Sequence, residues 1–165
     1  MGGETSFAKF TTDNRFYWQF WGNAVLASAI RVGYTEGLRA TREQGITSFE
    51  RFWAGGSTTV RGYKERKLGP VDDESGKKHR GDVQFILNAE LRFPIYNLVG
   101  GVLFFDTGNV WNQLSEIQEI PPRSAMGVGV RVDTPLGPAR LDYGFPLTKG
   151  SPHHRRIYLA LGHAF

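Results

Sequence analysis

Glu90 and Asp106 are the carboxylates best placed to do chemistry in this 165-residue chain. Each falls in the polar phase of a segment whose residues alternate between polar and apolar. Two carboxylates on one wall could divide acid and base roles in proton transfer. Arg92 shares that phase, however, and Arg61 stands in a long loop nearby in sequence. Cations beside carboxylates hold them ionised rather than leaving one protonated. An ion-pair network is therefore expected, not a catalytic pair. Other chemistry lacks its residues. No Ser/His/Asp set, phosphate loop or metal-spaced cluster is present, and cysteine is absent, which excludes a disulfide framework and any thiolate site. His153-His154 beside Arg155-Arg156 could ligate a metal, but the run reads as a basic external loop. Asp72-Asp73-Glu74 and Lys77-Lys78-His79-Arg80 read as solvated loop charge. No catalytic residue, metal or cofactor is expected.

The elements that must carry these residues show in the alternation itself. From Asp82 to Arg92, one phase is Asp82, Gln84, Ile86, Asn88, Glu90 and Arg92; the other is Val83, Phe85, Leu87, Ala89 and Leu91. Strand side chains alternate between two faces. When the pattern recurs in segment after segment, with full charges in one phase and large apolar groups in the other, it describes a sheet with hydrocarbon outside and a wet lumen inside. Mean hydropathy is negative, yet alternation hides the hydrophobicity of such a sheet from any average. No run of about 18 apolar residues exists to cross a bilayer as a helix. The formal charge of +4 is spread over loops rather than gathered on one face, so no nucleic-acid partner is expected.

Seven strands are expected, at about 6–20, 25–36, 82–93, 102–111, 124–133, 139–145 and 156–165. Turns fall at Gly22-Asn23, at Pro94 to Gly101 and at Leu136-Gly137-Pro138, and a long loop spans 37–81. Strands of about 9 to 11 residues suit a tilted crossing of hydrocarbon. Met126, Val128, Val130 and Val132 form a lipid-facing row, opposite the small residues Ala125, Gly127 and Gly129, which leave room for something to pack inside. The expected fold is an all-β, antiparallel transmembrane β-barrel. Seven strands are odd in number and cannot close alone. The chain is thus the C-terminal portion of a larger barrel, or hides a further strand, or closes with other copies. No cleavable signal opens it, and Met1-Gly2-Gly3 is not expected to be the natural amino terminus.

The loop reads Phe52-Trp53-Ala54-Gly55-Gly56-Ser57-Thr58-Thr59-Val60-Arg61-Gly62-Tyr63. It resembles the conserved loop of the BamA/TamA outer-membrane assembly superfamily, whose core is Val-Arg-Gly-Phe/Tyr after a Gly-Gly-Ser lead. Asn88 to Phe93, Phe104-Phe105-Asp106-Thr107-Gly108 and Pro135 to Pro138 with Leu141-Asp142-Tyr143 resemble three further family segments, in order. The resemblance implies a 16-stranded barrel of which residues 1–165 are the C-terminal half, with periplasmic repeats outside this chain. It implies an inward-folded loop that places Val60, Arg61, Gly62 and Tyr63 in the lumen. Physics supplies a reason: a desolvated guanidinium needs an anion, and Arg61 should pair with Glu90 or Asp106. Gly55, Gly56 and Gly62 let the backbone pass close to the wall. Ile157, Leu159, Leu161, Gly162 and Phe165 resemble the terminal recognition strand of outer-membrane proteins, with His163 a departure from the usual apolar residue. The implied role is an assembly factor that folds and inserts β-barrel clients into the outer membrane, in contact with its lipids and with periplasmic accessory proteins. The alternatives are a polypeptide-translocating secretion pore of the same superfamily and a soluble β-sheet ligand-binding module.

Overall fold

The computed structural model describes residues 6–38, 48–71, 76, 78–135, 137–148, 155–162 and 164–165. They form one antiparallel sheet in chain order: β1 Phe7–Trp21, β2 Ala24–Gly37, β3 Val83–Tyr96, β4 Val99–Trp111, β5 Arg123–Val132, β6 Ala139–Pro146 and β7 Arg156–Leu161. A single helical turn, α1 (Glu116–Glu119), interrupts the β4–β5 connection. Each strand pairs with its sequence neighbours, so among the described residues β1 and β7 are each paired on one side only.

The alternation read from the sequence sorts the two faces. Leu103, Phe105, Met126, Val128, Val130 and Leu141 are exposed on the convex face, while Asn88, Glu90, Asp106 and Asp142 are buried on the concave one. The sheet curls far enough for Phe165, past the end of β7, to join a buried cluster with Ala27 and Ala29 of β2.

Several expectations need correction. The β3–β4 turn is not Pro94 to Gly101 but Asn97-Leu98. Pairing continues through Pro94↔Gly100, with an irregularity between Pro94 and Tyr96, and Asn97 takes the left-handed conformation that a tight turn needs (φ +48°). The second to fourth strands run to 14, 14 and 13 residues, beyond their expected spans and beyond the about 9 to 11 that a tilted crossing needs. The last has 6 and stops at Leu161, not Phe165. Gly162 there adopts φ +92°, which turns the chain out of the extended region. Phe165 therefore does not share the outward phase of Ile157, Leu159 and Leu161; it packs inward, with the Arg92 guanidinium 5.1 Å from its ring centroid. The Leu136 part of the β5–β6 turn, His153-His154, Asp72 to Glu74, Lys77, His163 and Met1 to Gly3 lie outside the described residues, as does the side chain of Phe20.

Candidate functional site

The long loop is tied at its base before it enters the concavity. Arg51 grips the Asp82 carboxylate with Nε and Nη2 (2.7 and 2.9 Å), and Nη2 also donates to Asn112 Oδ1. Such a two-point fit is what a planar guanidinium offers a carboxylate. Phe52 and Gly81 exchange both backbone hydrogen bonds. The Phe52 ring lies on Gly33 of β2, where a Cβ would come within 2.5 Å of it. Beyond this collar the loop supplies its own core. Phe52, Ala54, Val60, Tyr63 and Leu68 pack against Ile86, Val110 and Ala125. Ile86, the one apolar residue in the polar phase from Asp82 to Arg92, thus sits beneath the loop rather than facing water.

Arg61 stands at the centre of the concave face, its side chain 1% exposed. Nε and Nη2 donate to the two oxygens of Asp106 on β4 (2.7 and 2.8 Å), and its backbone N–H donates to the same carboxylate (3.0 Å). Nη1 donates to Glu90 Oε1 on β3 (2.5 Å) and, at 3.4 Å, to Asp142 Oδ2 on β6. The guanidinium also covers the Phe104 ring, 3.7 Å from its centroid. That ring has room because Gly127 on β5 has no side chain to meet it. Small residues on the inner face of β5 thus support the arginine from below.

A second layer holds the carboxylates. Arg92 donates to Glu90 Oε2 (2.8 Å) and Arg131 to Asp142 Oδ1 (2.6 Å). Asn88 bridges the wall to the loop, donating to Asp106 Oδ1 and to the Thr59 carbonyl. Arg140 lies 3.7 Å from Asp142. Burial alone would lower the Arg61 pKa; Asp106, Glu90 and Asp142 outweigh it and raise it, so the guanidinium stays charged at any working pH. Acid/base chemistry needs a group that changes protonation, and each Glu90 oxygen instead faces a guanidinium. The arrangement is suited to holding the loop in one place.

Backbone shape completes the fit. Gly62 has φ +94°, open to glycine at little cost, and lies against Gly144 of β6, where a Cβ would come 2.7 Å from the Gly62 nitrogen. Gly55 and Gly56 also have positive φ; side chains there would strike the Lys64 carbonyl and the Glu65 carboxylate. The Gly62 N–H donates to Tyr158 Oη on β7 (3.1 Å), and the Tyr158 hydroxyl donates to the Tyr63 carbonyl (2.6 Å). The Tyr63 hydroxyl donates to the Ser124 carbonyl.

The structure brings Val60, Arg61, Gly62, Tyr63, Glu90 and Asp106 together at one place, and Arg61 meets both carboxylates rather than one. Ile157, Leu159 and Leu161 point the other way, 71%, 82% and 71% exposed on the outer face of β7. Sequence reasoning did not assign Asp142, Arg131, Asn88, Phe104, Gly144 or Tyr158 to the site. Asp142 and Gly144 were visible as inward-phase residues of β6. Tyr158 was visible as an inward-phase residue of β7.

The profile of the Omp85 superfamily domain matches residues 1–165. The outer membrane protein assembly factor BamA of Nitratidesulfovibrio vulgaris is 32% identical over 174 residues, covering 100% of this chain and 21% of that protein. BamA of Neisseria meningitidis serogroup B is 32% identical over 167 residues, covering 81% of the chain and 21% of that protein. The chloroplastic outer envelope protein 80 of Arabidopsis thaliana is 34% identical over 121 residues, covering 68% and 15% respectively. The crystal structure of BamA from Haemophilus ducreyi lacking POTRA domains 1-3 superposes with a TM-score of 0.69 at 21% identity, over 93% of this chain and 34% of that one. The chain thus spans about a fifth of the length of the BamA relatives it matches.

Proposed function

The chain belongs to the Omp85 superfamily, and on that premise we propose that it is the C-terminal half of the transmembrane β-barrel of an outer-membrane protein assembly factor, one that folds and inserts client β-barrels without catalytic residues or cofactors. The observation that carries this reading is the buried union of Arg61 with Asp106, Glu90 and Asp142 inside a sheet whose outside is apolar. A loop locked to the inner wall keeps the concavity filled, while the row Met126, Val128, Val130 faces acyl chains. Among the described residues β7 is paired only with β6; parting of its other edge would allow strand addition, through which a client strand would gain main-chain hydrogen bonds. The remaining strands of a closed barrel and the periplasmic repeats belong to sequence beyond residues 1–165.

The test is reconstitution of the full-length protein in lipid vesicles with a urea-denatured client barrel. Faster client folding than in empty vesicles, lost in Arg61→Ala, is the expected result. No acceleration by the wild type overturns the reading. Passage of the client into the vesicle interior without insertion would replace assembly with secretion.

A further inference from the structure

The carboxylates that hold Arg61 stand on β3, β4 and β6, each of which has a neighbour on both sides. β7 is different: it is short, and among the described residues it pairs only with β6, through Ala139↔Leu161 to Gly144↔Arg156. Tyr158 sits in the middle of that ladder, opposite Asp142. Its hydroxyl accepts from one loop amide and donates to the next carbonyl, on Gly62 and Tyr63. A single oxygen therefore joins the sheet's outermost strand to the two residues that follow Arg61.

We propose that Tyr158 is a positioning residue that pins β7 to the docked loop, so that the loop holds β7 in register. The path is continuous. Arg61 fixes the loop to the interior strands, Gly62 rests on Gly144, and the Tyr158 hydroxyl carries that anchorage one strand further out. Releasing the loop removes from β7 the anchorage that the Tyr158 hydroxyl supplies. Peeling β7 away in turn leaves the Gly62 N–H and Tyr63 carbonyl without their partner, in a partly buried place where unpaired backbone groups are unfavourable. Edge and loop thus shift together. This coupling goes beyond the assembly role and needs no client, so its failure and the failure of that reading are separable.

Tyr158→Phe tests it, since it removes the hydroxyl and keeps the ring. Amide hydrogen exchange is followed in the full-length protein in lipid bilayers for the wild type, Tyr158→Phe, Arg61→Ala and the double variant. Exchange of the amides of residues 156–161 should quicken about tenfold in Tyr158→Phe, the scale of the two modest net hydrogen bonds lost with the hydroxyl, with β3 and β4 unchanged. In the Arg61→Ala background the same change should add nothing, because the loop is already released. Unaltered exchange in β7, equal quickening in every strand, or full additivity of the two substitutions would each overturn the pin.

Discussion

The two faces of β3 answer to different physics although their residues are one position apart. Inward, Asn88 and Glu90 are buried; both Glu90 oxygens have guanidinium partners, and Asn88 links Asp106 to the loop. Outward, Leu87, Ala89 and Leu91 are partly exposed and make no polar contact through their side chains. The inner face is specific: the Glu90 carboxylate depends on particular cations, because an unpaired charge in a desolvated place is costly. The outer face is generic, since hydrocarbon asks only that side chains be apolar. Substitutions should therefore be punished by identity inside and by class outside.

Four changes would break or sharpen that contrast. Arg61→Ala should have the largest effect, leaving Asp106 and Glu90 buried without their main cation, at about 3–5 kcal/mol. Urea unfolding from lipid vesicles and the distance between spin labels at Lys67 and Leu114 would report it, and Arg61→Lys should restore only part, because an ammonium lacks the fork. Val128→Arg, on the outer face, should cost about 2–4 kcal/mol near mid-membrane, whereas Val128→Leu should unfold with the wild type. Equal penalties for both would sink the idea that the outside reads only class. Gly144→Ala should cost about 1–3 kcal/mol through overpacking against Gly62. It should show as displaced spin labels on the loop with unchanged β-sheet circular dichroism. Lys9→Ala, which removes the exposed pair with Glu50, should stay within about 1 kcal/mol; a larger loss would mean that the loop base leans on this pair as heavily as on Arg51.

Strand order and facing were legible in the sequence because period-two alternation survives whatever surrounds a sheet. Strand ends were not. Pro94 reads as a stop, yet pairing runs past it to Tyr96. Gly162 was visible as a weak point in β7, but not the positive φ that sends Phe165 inward. The site was legible as far as phase and motif reach. Both put Glu90 and Asp106 on the wall and Arg61 over it, but the third carboxylate, Asp142, and the stacking of Phe104 on Gly127 depend on how far the sheet curls. Curvature is a sum of small twists that no local pattern records. Ile86 looked like an exception in a polar row, and only the docked loop explains it.

That same isoleucine bears on what the concave face would be like without its loop. Excising residues 52–68 would uncover Ile86, Val110 and Ala125, now sealed beneath the loop, and set a dry patch beside the charges of the concave face. Water wets such a surface poorly, at roughly 25 cal/mol for each Å² exposed. A truncated protein would thus gain less an open passage than an adhesive one, prone to snag any greasy stretch of polypeptide drifting through.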